Sequence, residues 1–221
     1  MGKKRIDQNK IIIAFLVSSF DKSAGATSLA DISEQLNVKK ASLYNHFSSR
    51  DNIYEATLNF CAEYLAGVSF LPDEYQKLAK QGPDKAFSKI ISQYIRSYEI
   101  DPLFPIYSFI HSEQYFNGRA VKIAADEQKK IIDGCSIMFR IFITGGTFIP
   151  LTDEQIQNNA GILAALLTAS LNRYIIEKKD IVRKNPETGT GSLFSLPTDT
   201  TAVSTVTKLA TSFISRFITE K

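Results

Sequence analysis

Cysteine is almost missing from this 221-residue chain. The two present, Cys61 and Cys135, are too few for a disulfide framework and point to a reducing, cytoplasmic setting. Histidine is equally scarce. His46 and His111 cannot build a metal centre between them, so neither a metal nor another cofactor is expected. The opening Met-Gly-Lys-Lys-Arg runs into Asp7 rather than an apolar stretch, so no secretory leader is read there, and Ile6 stands where a myristoylation signal needs Ser or Thr. Long apolar runs are lacking as well. The most membrane-like stretch, Gln155–Asn172, contains Gln157, Asn158, Asn159, Thr168 and Ser170, which excludes a bilayer span and leaves a buried or subunit-facing helix. Phosphate-cradling loops are absent too: Gly145-Gly146-Thr147 and Gly189-Thr190-Gly191-Ser192 match neither GxxxxGK[ST] nor GxGxxG and read as loops. Apart from Arg140 across the helix, Cys135 has no basic partner at helical spacing, so it reads as an inert packing residue. No enzyme constellation stands out.

What is present is ordinary for a globular protein: 44% hydrophobic and 22% charged residues, with seven Pro and eleven Gly and no internal repeat. The length allows roughly 70% of the unfolded surface to be buried. The net charge of +3 is unevenly spread. Residues 1–50 carry eight Lys/Arg against four Asp/Glu, a net of +4, which leaves 18 against 19 in the other 171. Such asymmetry suggests a polyanionic partner for the first quarter of the chain.

Apolar residues return at three- and four-residue spacings and strand-like alternation is scarce, so the fold class is all-α. The β-branched run Ile11–Val17 alone would suit a buried strand, but its continuation to Phe20 and its helical context favour a helix covered on several sides. Breaks at Gly25-Ala26, Pro72, Gly82-Pro83, Pro102, Pro105, Asn117-Gly118, Gly145-Gly146 and Lys184–Pro197 give about nine helices. The most linker-like stretch is Asn185–Ser192. Three short helices at the start suggest a module over residues 1–50, followed by a larger bundle over 51–221.

Within that module Thr27-Ser28 and Asp31 form a capping-box pattern. Leu29, Ile32 and Leu36 line one face, and Asn37 stands where a left-handed residue would close the helix. A second short helix from Lys40 to Phe47 places Leu43 and Phe47 on its inner face. Outward, Lys39 and Lys40 can neutralise phosphates, Ser42, Asn45 and His46 can reach base edges, and Tyr44 can lie along the sugar-phosphate wall. Arg50 would hold the backbone again, and the arm Lys3-Lys4-Arg5 would reach an adjacent groove or phosphate.

Thr27–Arg50, TSLADISEQLNVKKASLYNHFSSR, resembles the helix-turn-helix of the TetR family of bacterial transcriptional regulators, with Leu43-Tyr44-x-His46-Phe47 its most specific part. The resemblance covers roughly residues 6–56 and implies an N-terminal DNA-binding domain followed by a helical ligand-binding and dimerisation domain. Thr27, Ser28 and Ala41 join the expected DNA contacts. Two departures stand out: Lys39 replaces the family's usual capping Ser, and Ala41 its usual Gly. Arg50 also replaces the usual Lys.

The aromatics Tyr94, Tyr98, Phe104, Tyr107, Tyr115, Phe139 and Phe142, with His111, would either line an apolar pocket or form plain core. The resemblance implies a pocket in this region for a small-molecule effector, largely apolar or aromatic. Small residues Ala160, Gly161, Ala164, Ala165, Ala169 and Ser170 on a helix over 152–179, with Ala202, Ala210 and Ser212 on one over 198–219, allow close helix approach. They would serve a homodimer interface or packing within one chain. The resulting expectation is a homodimeric, ligand-responsive repressor on a palindromic double-stranded DNA operator, without catalytic or membrane function. The alternatives are an activator of the same family, and a helical small-molecule-binding protein or enzyme whose N-terminal helices bind protein.

Overall fold

The structure, a computed structural model, describes residues 6–100, 102–184 and 200–219. Among them the chain forms nine α-helices, two short 3-10 helices and no strand beyond an isolated antiparallel bridge between Phe148 and Ile218. The α-helices are α1 (Gln8–Asp21), α2 (Leu29–Gln35), α3 (Arg50–Ala66), α4 (Tyr75–Ala79), α5 (Pro83–Ser97), α6 (Leu103–Glu113), α7 (Gly118–Thr144), α8 (Asp153–Lys184) and α9 (Thr200–Ile214). The 3-10 helices span Lys40–Asn45 and Ser215–Phe217. The linker-like stretch Asn185–Ser192 and the arm Lys3-Lys4-Arg5 lie outside the described residues.

The chain divides into two compact units, Met1–Val68 with Pro102–Ala124, and Ser69–Asp101 with Ala125–Lys221. This differs from a division at residue 50, and the reason is the amount of apolar surface on α1. Asp7 starts that helix by accepting from the Lys10 amide at 2.9 Å, and Ile11, Ile12, Ala14, Phe15, Leu16 and Phe20 are all buried. Apolar residues on every side need cover on every side, which two short helices cannot supply. Helices α3 and α6 complete it. Phe15 meets Tyr54 of α3 at 6.3 Å and Phe109 of α6 at 6.1 Å, both edge to face, and Phe20 meets Phe104 at 5.2 Å. The Ile11–Val17 run is therefore helical, stabilised by packing against its propensity.

Proline starts helices here rather than interrupting them. Pro83 occupies the first position of α5, after Gly82 at φ 93°, and Pro105 sits in the first turn of α6, where its missing N–H forfeits no intrahelical bond. In the second unit α5 packs on α4 and α9, and α9 on α8. Phe87, Phe139, Phe142 and Phe148 form a contiguous ring cluster that extends to Phe217, with centroids 5.1–6.2 Å apart. Burial of each such ring contributes roughly 1.5–3 kcal/mol. The amides of Ile149 and Thr219, bonded to the carbonyls of Phe217 and Thr147 at 2.8 and 2.9 Å, fasten the end of the chain to the turn after α7.

Candidate nucleic-acid interface

Helix α2 begins with a complete capping box. The Ser28 hydroxyl accepts from the Asp31 amide at 3.3 Å, and the Asp31 carboxylate accepts from the Ser28 amide at 2.8 Å. Lys22 adds its ammonium to the same carboxylate. That ammonium first, then the Ser28 amide and hydroxyl, pull the Asp31 carboxyl down to about 2. At the other end Asn37 adopts φ 52°, the left-handed conformation that ends the helix, and the Val38 amide reaches back to the Ser33 carbonyl at 2.9 Å. A helix, a tight turn and a second short helix follow in direct succession.

The second helix is a 3-10 turn, Lys40–Asn45, rather than an α-helix. Lys39 precedes it with no side-chain cap, as expected where Ser is replaced by Lys. Three residues per turn set Leu43 inward, 1% exposed, while Phe47 remains half-buried. Lys39, Lys40, Ala41 and Asn45 are exposed, Tyr44 is 52% exposed, and Ser42 and His46 are half-buried. Gln8 of α1 donates to the His46 carbonyl at 3.2 Å and so anchors the end of this 3-10 helix.

Two of the expected DNA contacts are turned inward. Thr27 is 1% exposed and its hydroxyl donates to the Ser23 carbonyl at 2.8 Å, so it supports the turn before Ser28 and is closed to phosphate. Arg50 donates from Nε to the Thr27 carbonyl at 2.9 Å and from Nη2 to the Ala24 carbonyl, and its guanidinium lies 5.5 Å over the Phe15 ring. Its planar fork is engaged within the protein, where it clamps the start of α3 to the connection before α2. Nothing local in the sequence marks that role, because the carbonyls lie 23 and 26 residues earlier.

A groove of about 510 Å³ opens beside the reading helix, lined among others by Gln8, His46, Asp51, Asn52, Glu55 and Asn59. Asp51 lies 3.4 Å from the Arg50 guanidinium and Glu55 3.6 Å from that of Arg119. Also unread in the sequence is a tie between α3 and α6: the Tyr54 hydroxyl donates to buried Glu113 at 2.8 Å and accepts from Asn117 at 3.1 Å. Burial and the Glu113 carboxylate push the Tyr54 phenol up to about 12.

The expected ligand residues are divided between the two units. Phe104, Tyr107, His111 and Tyr115 belong to the first unit, and Tyr94, Tyr98, Phe139 and Phe142 to the second. Tyr107 stacks on His111 at 3.9 Å, Phe104 packs on Phe20, and Tyr115 is 80% exposed. Phe139 and Phe142 are core rings. Tyr94 and Tyr98 meet a buried charge, that of Glu127. Among the described residues no group of three or more His, Cys, Asp and Glu could hold a metal ion, and no helix is long and apolar enough to cross a membrane. Burial pushes both thiols, Cys61 and Cys135, far up from their ordinary range.

Residues 20–57 match the family described as bacterial regulatory proteins, tetR family. The likeness to the tetR family rests on this N-terminal segment. Over 61 residues the chain is 39% identical to the biofilm operon icaADBC HTH-type negative transcriptional regulator IcaR of Staphylococcus aureus (strain Newman), a match covering 28% of this chain and 33% of that protein. The Staphylococcus epidermidis IcaR is 37% identical over 64 residues, covering 29% and 34%. The chain thus spans about a third of the length of the curated relatives it matches. A tetR transcription regulator from Haloarcula marismortui superposes with a TM-score of 0.61 at 11% identity, covering 96% of this chain and 98% of that one. A transcriptional regulator from Saccharomonospora viridis in complex with choline gives 0.57 at 14%, covering 97% and 98%. At these identities the likeness concerns the tetR fold.

Proposed function

We propose that the protein is a homodimeric transcriptional repressor that reads a palindromic operator and releases it when a small molecule occupies the second unit. One observation carries this reading: Lys39, Lys40, Tyr44 and Asn45 stand exposed together on a reading helix whose inner side is fixed by Leu43. Two phosphate-neutralising cations beside an amide suited to adenine and a flat phenol form a DNA-reading surface. The Staphylococcus relatives, named as negative regulators, support repression, and the choline-bound fold neighbour supports a small-molecule effector. The protein acts by binding, in the cytoplasm, and not by catalysis.

Dimerisation would use α8 and α9. Ala160, Ala164 and Ala210 are fully buried inside the unit, so the free surface is a different stripe: Ile162, Ala165, Ala169 and Ile176 on α8, with Leu209 on α9. Exposed isoleucines at helical spacing favour a covered surface. Two reading helices would then enter major grooves about 34–36 Å apart. Inducer and operator would weaken each other reciprocally. Titration of duplexes selected from a random pool, at several salt concentrations, tests the proposal. A binding constant that falls steeply with salt and is weakened in Lys40→Ala or Asn45→Ala supports it, and no duplex bound at low salt overturns it.

A further inference from the structure

The reading helix differs from its neighbours in how it begins. Helices α1, α2 and α3 each open on a side chain that accepts from the backbone amide three residues on: Asp7 from Lys10 at 2.9 Å, Ser28 from Asp31 at 3.3 Å and Ser49 from Asn52 at 3.1 Å. All three are α-helical. Lys39 holds the equivalent place before the reading helix, and an ammonium group has donors but no acceptor. In an α-helix the Lys39 carbonyl would take the Leu43 amide and leave that of Ser42 without a partner. In the 3-10 turn the Ser42 amide donates instead to the Lys39 carbonyl, at 2.8 Å. The tighter winding thus satisfies the donor that Lys39 cannot cap. The charges of Lys39 and Lys40, at the positive end of the helix, disfavour an α-helical start further.

Winding decides which side chains point together. Buried Leu43 fixes the inward direction. At about 120° per residue Ser42 and Asn45 fall in one column on one flank of Leu43, and Ala41 and Tyr44 in a second column on the other. At the roughly 100° per residue of an α-helix Asn45 and Ala41 would each turn by about 40°, to face away from Leu43 with Ser42 and Tyr44 at their sides. For an amide carried about 5–6 Å from the helix axis, that rotation moves its end by about 4 Å. Successive bases on one strand lie about 3.4 Å apart, so the change is large enough to bring a different base edge within reach.

We infer that Lys39 is a specificity-determining residue of the DNA-reading surface: its lack of an acceptor keeps the reading helix in 3-10 winding and so sets the columns Ser42–Asn45 and Ala41–Tyr44 that meet the bases. It acts through the backbone, as a positioning residue, in addition to the charge it offers to phosphate. The choice of winding is closely balanced. At the far end the Leu43 carbonyl accepts from both the His46 and the Phe47 amides, at 3.0 Å each, so bonds of the 3-10 and the α type coexist there. A side-chain cap shifts such an equilibrium by about fivefold, enough to tip it. This inference rests on the DNA-binding reading above and adds the geometry in which the operator is read.

Selection of duplexes from a random pool by the full-length wild type, Lys39→Ala and Lys39→Ser tests it. Both variants lose the ammonium and therefore the same phosphate attraction, but only serine can accept from the Ser42 amide. Lys39→Ala should select the wild-type sequence and bind it with a salt slope lower by about one. Lys39→Ser should show the same lowered slope, bind the wild-type duplex about fivefold more weakly than Lys39→Ala, and enrich a second sequence that differs at the base read by Asn45. Lys39→Thr, which also caps, should follow Lys39→Ser, and thermal unfolding shows that each variant is folded. Equal affinities and one shared sequence for Lys39→Ser and Lys39→Ala would overturn the inference. So would a changed sequence with Lys39→Ala, which would make Lys39 a direct base contact. A wild type that selects no duplex at low salt overturns the DNA-binding reading, and this inference with it.

Discussion

Arg50 donates from Nε to the carbonyl of Thr27 at 2.9 Å, tying the start of α3 to the residue that precedes the Ser28 cap. With Nη2 on Ala24 and the guanidinium over Phe15, the side chain holds the connection between α1 and α2 against the helix that follows the reading helix. Arg50→Lys keeps the charge but loses the planar fork. It should cost about 1–3 kcal/mol in urea unfolding, the scale for lost hydrogen bonds to a charged donor. The slope of log K against log salt for duplex binding should stay unchanged. A slope lowered by about one unit would mean that Arg50 contacts phosphate after all.

Lys39 and Lys40 should behave in the opposite way. Both are exposed and neither bears on the core, so Lys40→Ala should leave unfolding within about 0.5 kcal/mol of wild type. It should lower the salt slope by about one. Asn45→Ala should cost about 1–3 kcal/mol on the preferred duplex and little on others, if its amide reads a base edge. Parallel titrations on matched and mismatched duplexes separate the two effects.

The Asp31 carboxyl gives the acid limb of stability a definite sign. Its value is about 2 in the folded protein against 3.8 for the free side chain, so the unfolded chain binds the proton more readily. The stabilisation is therefore complete above 3.8 and is lost as pH falls through about 2. Asp31→Asn removes the dependence. The difference in unfolding midpoint between wild type and variant should be largest at pH 5 and should shrink towards pH 2, as measured by denaturant titration at closely spaced pH values.

Features that are short-range in the chain were legible in the sequence. The Ser28–Asp31 box, the left-handed Asn37, the buried Leu43 and the absent cap at Lys39 all follow from residues within four positions of one another. The inward bonds of Arg50 are not legible in the sequence, because an exposed cation and an inward clamp look alike until the carbonyls of Ala24 and Thr27 are brought beside it. For the aromatic stretch from 94 to 142 the sequence leaves pocket lining and plain core open for a related reason. Its composition is uniform, but the chain carries α6 and the start of α7 into the first unit, so Tyr107 and Tyr94 belong to different units. Glu127 gave no local signal, since its partners are 29 and 33 residues away.

Tyr54 is half-buried, and its hydroxyl bridges Glu113 and Asn117, 59 and 63 residues along the chain. Tyr54→Phe keeps the ring against Phe15 and Phe109 and removes only the bridge. Leaving the buried Glu113 carboxylate without this donor should cost about 1–3 kcal/mol in urea unfolding. Because the phenol is held at about 12, the cost should be constant from pH 6 to 9. A double-mutant cycle with Glu113→Gln isolates the pair, and a coupling indistinguishable from zero would show that the bridge contributes nothing to the first unit.

The surface stripe on α8 allows a test of assembly that leaves the fold intact. Ile176 is 66% exposed and Ile162 51%, so replacing either with Glu removes little internal packing and should leave the thermal unfolding of an isolated chain nearly unchanged. In a dimer built on this stripe the same change buries a carboxylate against its symmetry mate, because a two-fold interface brings each residue close to its own copy or to its neighbours. Ile176→Glu should therefore shift sedimentation from dimer to monomer at micromolar concentration. Operator affinity should fall with it, since a single reading helix loses the gain from linked half-sites. A variant that still sediments as a dimer would place the interface elsewhere on the second unit.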